Sequence, residues 1–312
     1  MLSPRAFAAA AIVLASACDR PAPRAVHPPP PPPPVVHAPA DAPGCRDAPA
    51  LVMETRPGPG DHVLLGVSAD STGMRGTVNG LLAVRRDGGV ALVTREAGRP
   101  PESDPFARWG VRAGATFTLL AWGRPVGSAR VDSMRAYGGG VSTFTFHDAA
   151  PGQAAALATD LPAAAGPPLV RAPTGGERRA MVALLRDTVA AHGNGWAYVR
   201  PRDLHVDAVA LPGGGVALVG SALERNEIDP IERPRMTVLI VAEREGARLR
   251  VAYARYEAED DPYSPGLLDV VDLDGDGVPE LVTVDDITQG GGMIGVFRRG
   301  PGGWREVART GC

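Results

Sequence analysis

The residues with the clearest chemical potential lie near the C-terminus, where carboxylates alternate with turn-forming residues. The segment reads Asp272-Leu273-Asp274-Gly275-Asp276-Gly277-Val278-Pro279-Glu280. Carboxylates at every second position can converge only if the chain curls tightly, and glycine permits that curl because it has no Cβ. Ca²⁺ takes six to eight oxygen ligands and tolerates irregular carboxylate geometry. The segment therefore predicts a calcium loop. Its expected ligands are the backbone carbonyl of Val278 and the carboxylates of Asp272, Asp274, Asp276 and Glu280.

The start of this segment also matches the opening of an EF-hand loop, D-x-D-x-D-G. Counted from Asp272, however, position twelve is Thr283, where an EF-hand carries a bidentate glutamate. Pro279 at position eight has no N–H to donate. The flanking runs at 267–271 and 281–284 are short and apolar, which is typical of buried strands rather than of amphipathic helices. The loop is therefore expected between two strands.

In that strand context, the run Asp-x-Asp-x-Asp-Gly-x-x-Glu-Leu resembles the calcium loops of FG-GAP and VCBS-type repeats. The resemblance covers a short part of the chain and occurs once. Glu280 stands where those repeats usually have Asp. The resemblance implies a calcium ion that stabilises a β-rich fold rather than one that takes part in catalysis. A solvated acidic turn without a metal is the alternative.

Signals for enzyme chemistry are weak. The sequence contains no H-E-x-x-H, no G-x-S-x-G, no Walker glycine loop and no Rossmann fingerprint. His205 and Asp207 lie on one face of a predicted strand, which suits a catalytic or metal pair, although a lone surface histidine is the commoner explanation. An acidic run before the loop either adds ligands or is a solvated loop. It comprises Glu257, Glu259, Asp260 and Asp261.

The N-terminus has the features of an export signal. Arg5 precedes an apolar run at 6–17 that is too short to span a bilayer. The run ends in Leu14-Ala15-Ser16-Ala17, directly before Cys18, and resembles the lipobox of bacterial lipoproteins. That resemblance implies a signal peptide at 1–17, a diacylglyceryl group on Cys18, and attachment to a membrane of the bacterial cell envelope. Cleavage without lipid is the alternative.

Residues 18–44 are expected to form a lipidated cysteine followed by a proline-rich stalk. Seven consecutive prolines occupy 28–34, and such a run adopts polyproline II and acts as a semi-rigid spacer. A ligand for a proline-binding module is the other interpretation. The stalk is favoured because the segment lies between the predicted anchor and the predicted folded body.

The remaining cysteines indicate a disulfide. If Cys18 carries lipid, only Cys45 and Cys312 are left, at the two ends of the folded body. In an exported protein an even pair of cysteines predicts a disulfide. Two free thiols are the alternative.

The charge pattern argues against nucleic acid as a partner. The formal net charge is −3, and all 32 basic residues are arginine. The sequence shows no basic stripe of the kind that neutralises phosphates. The absence of lysine is more simply explained by compositional drift.

Strand signals dominate both halves of the body. In the first half, alternating and β-branched runs flank an Asp87-Gly88 hairpin signal. The predicted strands there are 77–84, 89–95, 115–122, 126–131 and 141–146. In the second half they are 204–211, 216–221, 236–243, 248–257, 267–271, 281–284, 293–298 and 304–308.

One helix is predicted, over 177–192. It begins near Thr174 and ends before Gly193. Its apolar face is expected to dock on a sheet and comprises Met181, Leu184, Leu185 and Val189.

These elements predict a β-rich α+β fold. An antiparallel β domain at 45–150 is followed by an Ala/Pro-rich linker at 151–170 and by one helix and a second antiparallel sheet at 171–312, which carries the calcium loop. An irregular β-propeller-like arrangement is the alternative, although the repeat length of a propeller is not traceable.

Two functions from different classes remain open. The first is a lipid-anchored envelope protein with a calcium-stabilised body that binds an envelope protein or a glycan, or that helps to build an assembly. The second is an exported calcium-dependent hydrolase with an unrecognised active site. The weak motif evidence favours the first, and no catalytic residue is assigned.

Overall fold

Antiparallel strands make up most of the described chain and form three sheets. The computed structural model describes residues 57–69, 75–93, 105–135, 141–147, 155–162, 168–225, 234–246, 248–258, 264–287 and 291–309. The predicted signal peptide, Cys18, the stalk and the Cys45–Cys312 disulfide lie outside these residues. All of the described residues belong to one compact unit.

The first sheet has seven strands. They are β1 (His62–Ala69), β2 (Arg75–Val84), β3 (Val90–Leu92), β4 (Thr116–Ala121), β5 (Arg124–Arg135), β6 (Val141–His147) and β7 (Ala155–Thr159). Their order is β1-β7-β4-β5-β6-β2-β3, and β1 also pairs with β2. The pairings of six strands therefore run in a ring. Leu65, Leu81 and Leu119 pack within it, together with Phe106 of the short helix α1 (Pro105–Arg108).

The second and third sheets follow in chain order. The second contains β8 (Val170–Arg171), β9 (Leu204–Ala210), β10 (Val216–Arg225), β11 (Pro234–Glu245) and β12 (Arg248–Ala258), in the order β12-β11-β10-β9-β8. The third is a meander of β13 (Ser264–Val271), β14 (Glu280–Ile287), β15 (Gly291–Gly300) and β16 (Gly303–Arg309). Each sheet is antiparallel, so short turns suffice to join successive strands.

Helix α2 (Gly175–Ala191) covers one face of the second sheet. The Thr174 side chain accepts a hydrogen bond from the Glu177 N–H, and the Glu177 carboxylate accepts one from the Thr174 N–H, which forms a capping box. Met181 and Leu185 are fully buried against this sheet. A Cβ on Gly220 of β10 would lie 2.5 Å from the Met181 side chain, so the close approach of helix and sheet depends on that glycine.

The third sheet forms the middle layer of the molecule. Leu281 and Phe297 pack towards the second sheet, whereas Val282 and Val296 pack towards the first. Neighbouring residues of a strand point to opposite faces, so both faces of the third sheet are buried. This layering places the turn between β13 and β14 beside the hairpin of β2 and β3.

The predicted β-rich α+β fold is confirmed, and helix α2 lies where the capping signal placed it. Three strands were not predicted, β1, β7 and the two-residue β8. The expectation that 151–170 is only a linker is wrong for Ala155–Thr159, which form β7 and pair with β1 and β4. Alanine dominates this strand and Thr159 is its one β-branched residue, so the strand signal is weak. Leu157 and Ala158 are nevertheless fully buried.

Candidate metal site

Three aspartates of the predicted calcium loop converge in the turn between β13 and β14. Asp272, Asp274 and Asp276 each offer a carboxylate oxygen, and these oxygens all lie within 4.8 Å of one another. Asp272 and Asp274 are half-buried, and Asp276 is exposed. The structure therefore brings together three of the five predicted ligands at a spacing that a single cation could bridge.

Backbone N–H groups of the loop hold these carboxylates in place. The two oxygens of Asp272 accept from the N–H groups of Gly275 (2.8 Å) and Gly277 (3.0 Å). The Asp276 Oδ1 accepts from the Val278 N–H at 2.7 Å. Gly275 and Gly277 have φ of 75° and 81°, which is the left-handed conformation expected from the sequence. The curl of the loop is thus fixed by its own aspartates and glycines.

Glu280 is not part of the converging triple. It is 2% exposed at the start of β14. Its Oε2 accepts from the Leu273 N–H at 2.8 Å, and its Oε1 accepts from the Arg298 Nε at 2.7 Å. Burial raises the pKa of Glu280, while these two donors act in the opposite direction. In this arrangement Glu280 joins the first turn of the loop to β15. The contact found for Val278 involves its N–H, so its carbonyl stays a predicted ligand.

Arg298 connects the loop to the first sheet. Its side chain contacts Glu280, lies 3.4 Å from the Asp274 Oδ2, and donates from NH2 to the carbonyl of Gly88 at 2.6 Å. Gly88 is the turn residue between β2 and β3. A Cβ on Gly88 would lie 2.5 Å from the Asp274 Cβ. One guanidinium therefore offsets part of the negative charge of the acidic loop and ties the loop to the β2–β3 hairpin of the first sheet.

The donor set of the triple fits a hard divalent cation. All of its ligand groups are carboxylates, which Ca²⁺ and Mg²⁺ prefer. Each carboxylate oxygen has more than one lone pair, so an oxygen that accepts an N–H retains capacity for a cation. Three carboxylates reach the minimum of six oxygens that Ca²⁺ needs only if all three are bidentate, so carbonyls or water would complete the shell. Of the other acidic residues considered as contributors, Glu257 contacts Arg255, and 259–261 lie outside the described residues.

Sequence reasoning missed Asp269, which lies three residues before the loop and is 1% exposed. The pairing of β13 with β14 shifts between Leu267 and Asp269, which marks a bulge. The Asp269 Oδ1 accepts from the N–H groups of Gly123 (2.6 Å) and Val270 (2.7 Å). Burial raises the pKa of Asp269 to about 6, although these N–H groups act against the shift. A charge inside the apolar run 267–271 was the available signal.

The second candidate pair, His205 and Asp207, lies on β9 as predicted. His205 is exposed and is the cross-strand partner of Ser221, which is buried. Burial raises the pKa of Asp207, opposed by the charges of His205 and Arg178. These groups share one face, but the hydrogen bonds of the described residues do not link them into a catalytic relay.

A surface depression of about 560 Å³ lies beside the β2–β3 hairpin. Asp61, Arg85, Arg86 and Asp87 line it. The Asp61 carboxylate is ion-paired with Arg85 at 2.7 Å and accepts from the Arg86 N–H. The pKa of Asp61 is lowered: its hydrogen bonds, led by that from the Gly58 N–H, outweigh the opposing effect of burial. Such a carboxylate stays ionised at neutral pH and does not suit a general acid.

Comparison with known proteins found no family model that matches this chain and no curated protein with significant similarity to it. Across the part of the chain that the structure describes, neither helix is long and apolar enough to cross a membrane.

Proposed function

We propose that this chain is a lipid-anchored protein of the bacterial cell envelope, with a β-rich body stabilised by Ca²⁺, and that it binds a partner or helps to build an assembly. The convergence of Asp272, Asp274 and Asp276 carries the calcium part of the proposal. Carboxylates this close repel one another, and a divalent cation bound between them relieves that repulsion. A ligand that binds only the folded state stabilises it by mass action.

The surroundings of the loop support a structural role for the ion. Asp274 contacts the β2–β3 hairpin at Gly88, and Asp272 directly follows β13. An ion held by both residues would fix the turn of the third sheet against the first sheet. Val278 and water would supply further oxygens, while Glu280 and Arg298 keep the ends of the loop in place.

The envelope part of the proposal is supported by the N-terminal sequence. Residues 1–17 have the order of an export signal, Cys18 stands at the lipobox position, and 18–44 form a proline-rich spacer. An exported body also suits the proposed Cys45–Cys312 disulfide. A body carried on such a stalk would meet other envelope proteins or glycans, which are therefore the proposed partners.

An exported hydrolase is the second candidate, and one observation favours it. Asp207 has a raised pKa beside His205 on a strand whose neighbour presents Ser221. Perturbed carboxylates occur often at functional sites. The binding role is preferred because Ser221 is 4% exposed, so a substrate would have little access to its hydroxyl.

Calorimetric titration of the purified full chain tests the calcium proposal. We expect one saturable Ca²⁺ site and much weaker binding of Mg²⁺, whose near-octahedral demand the loop meets poorly. Absence of saturable Ca²⁺ binding would reject it. Membrane fractionation of cells that express the wild type or Cys18→Ser tests the anchor. The wild type is expected in the membrane fraction and the variant in the soluble fraction, and equal release of both would reject lipid anchoring.

A further inference from the structure

The contact between Asp269 and the turn that joins β4 to β5 has no role in the calcium site. Gly123 in this turn donates its N–H to Asp269 at 2.6 Å, so a carboxylate of the third sheet holds a turn of the first. The Asp269 Oδ2 is buried and has no hydrogen-bond partner among the described residues. A buried carboxylate oxygen without a partner is costly when it carries charge, and far less so when it is protonated.

The turn itself is strained. Trp122 has φ of 56°, and among the described residues it is the one non-glycine residue with positive φ. A bulky residue in that conformation is an outlier that persists only when its surroundings enforce it. Trp122 is also the one large apolar side chain described as exposed, at 41%. The Leu169 N–H donates to its carbonyl at 3.4 Å. Gly123 approaches β13 so closely that an added Cβ would lie 3.1 Å from the Val270 carbonyl oxygen.

We propose that Asp269 and the Trp122–Gly123 turn form a proton-linked latch, in which protonation of the buried carboxylate favours the docked turn and ionisation favours its release. Release would hydrate the carboxylate and relax the left-handed backbone of Trp122. It would also move the one exposed tryptophan of the described body away from β13. The latch thus sets how Trp122 is presented at the surface.

The direction of the linkage follows from the two states of Asp269. In the docked state its pKa is about 6, and in a hydrated state it returns towards the ordinary value of 3.8. The docked state therefore holds the proton more tightly, and acid favours docking. Since the two pKa values differ by about 2, the equilibrium constant for opening should rise up to about 100-fold between pH 3.8 and pH 6 and level off above it.

Other titratable groups lie near Asp269 and the Gly123 turn. β13 packs against β7, β9, β10, β11 and β14, and it receives the Gly123 turn. The charged and titratable residues of these elements, of β8 and of their ends include Arg124, Asp160, Arg171, His205, Asp207, Glu224, Arg225, Arg235, Glu243, Arg244, Glu245, Asp272, Glu280, Asp285 and Asp286. None of their charges is among the causes of the shift at Asp269, which are burial and the backbone N–H groups of Val270, Gly123 and Trp122. His205 is the one histidine in this set. It is therefore the residue to control.

Hydrogen exchange of the full chain, followed by mass spectrometry between pH 4 and pH 8, measures the opening directly. After correction for intrinsic exchange, the segment 119–127 should show the predicted rise in its opening constant below pH 6 and a plateau above it. Segments in α2 provide the reference for global unfolding. Acrylamide quenching of wild type against Trp122→Phe should show Trp122 becoming more accessible over the same range.

Matched variants separate the latch from general acid effects. Asp269→Asn should make the opening constant of 119–127 independent of pH. Asp160→Asn, which removes an exposed carboxylate that accepts from the Val63 N–H, should leave the wild-type response intact, and so should His205→Gln. A wild-type constant that does not change with pH would overturn the proposal, as would an Asp269→Asn protein that keeps the response. If Asp269→Asn does not fold, carboxyl NMR of the wild type decides: a pKa of Asp269 near 3.8 contradicts the latch.

Discussion

Gly88 and Asp274 touch across two sheets, and a single added carbon on Gly88 would lie 2.5 Å from the Asp274 Cβ. The acidic loop is therefore seated on the β2–β3 hairpin rather than free in solvent. Arg298 reinforces the contact, because it reaches both Asp274 and the Gly88 carbonyl. A ligand that orders the loop therefore also affects the contact between the loop and the β2–β3 hairpin.

The contact between Gly88 and Asp274 predicts that two glycine-to-alanine substitutions differ in their cost to stability. Gly88 has φ of 82° and Gly213 has φ of 73°, but a Cβ on Gly213 would meet nothing within 4 Å. Gly213→Ala should cost about 1–2 kcal/mol for the left-handed backbone alone. Gly88→Ala should cost about 1–3 kcal/mol more, because the loop must shift. Urea unfolding of both variants measures the difference. Equal costs would show that the contact with Asp274 contributes nothing.

Removal of one loop carboxylate should abolish stabilisation by calcium. With Ca²⁺ at about 100 times its Kd, the wild type should gain about 2.7 kcal/mol, which corresponds to a rise in Tm of about 5–10 °C for a body of this size. Asp276→Asn should remove most of that gain, since Asp276 belongs to the triple, is exposed, and forms no ion pair with another described residue. Asp187→Asn on α2 is the control and should respond like the wild type. If the wild-type Tm changes with neither Ca²⁺ nor chelator, the loop is only an acidic turn.

The ion pair between the partly exposed Arg298 and the buried Glu280 predicts that a second substitution restores part of the stability lost with Arg298. Arg298→Ala should destabilise the protein by about 3 kcal/mol, because it leaves the buried Glu280 carboxylate without its cation. Adding Glu280→Gln to that variant should recover part of the loss, since the second change removes the buried charge. Arg305→Ala on the exposed face of β16 is the matched control and should be nearly neutral. A double variant less stable than Arg298→Ala would contradict this account.

Glu177 should make the stability of the body depend on pH. Its hydrogen bond with Arg171, opposed by burial, is the main cause that lowers its pKa to about 2, and the capping bonds at Thr174 add to the effect. A depressed folded pKa stabilises the protein above the unfolded value, 4.5, and this contribution is lost as the pH falls towards 2. The difference between these pKa values corresponds to about 3 kcal/mol. Solvent screens the pair because the Arg171 side chain is 45% exposed, so Glu177→Gln should cost about 2 kcal/mol at pH 7. The difference from wild type should shrink steadily below pH 4.5. Asp187→Asn on the same helix should show no such dependence.

The sequence predicted the features that depend on interactions between residues close together in the chain. Thr174 and Glu177 form a capping box within four residues, so the start of α2 was readable from the chain. The acidic loop was readable for the same reason, because its glycines and aspartates bond to one another. Strand β1 is apolar over much of its length and lacks clear alternation, since both of its faces are buried.

Contacts between distant segments were not predictable in the same way. Arg298 and Asp269 appear in the sequence as an ordinary charge in a strand and a polar break in an apolar run. Their partners, Gly88 and Gly123, come from the first sheet, and only the packing of the third sheet against it makes the contacts. The assignment of Glu280 illustrates the same limit. Its spacing suits a metal ligand, yet its neighbour on β15 is an arginine.

The ring of pairings in the first sheet has a consequence for the order of folding. β1 needs β7 on one side, and β7 lies at Ala155–Thr159, after five other strands of the same sheet. A chain that emerges N-terminus first must hold β1 with one edge unpaired until β7 arrives, and such edges invite pairing with other chains. Closing this ring is a long-range event, and long-range pairings form slowly. The alanine-rich β7 is therefore the last strand to join the first sheet. A chaperone that shields strand edges would act on this protein before β7 pairs with β1.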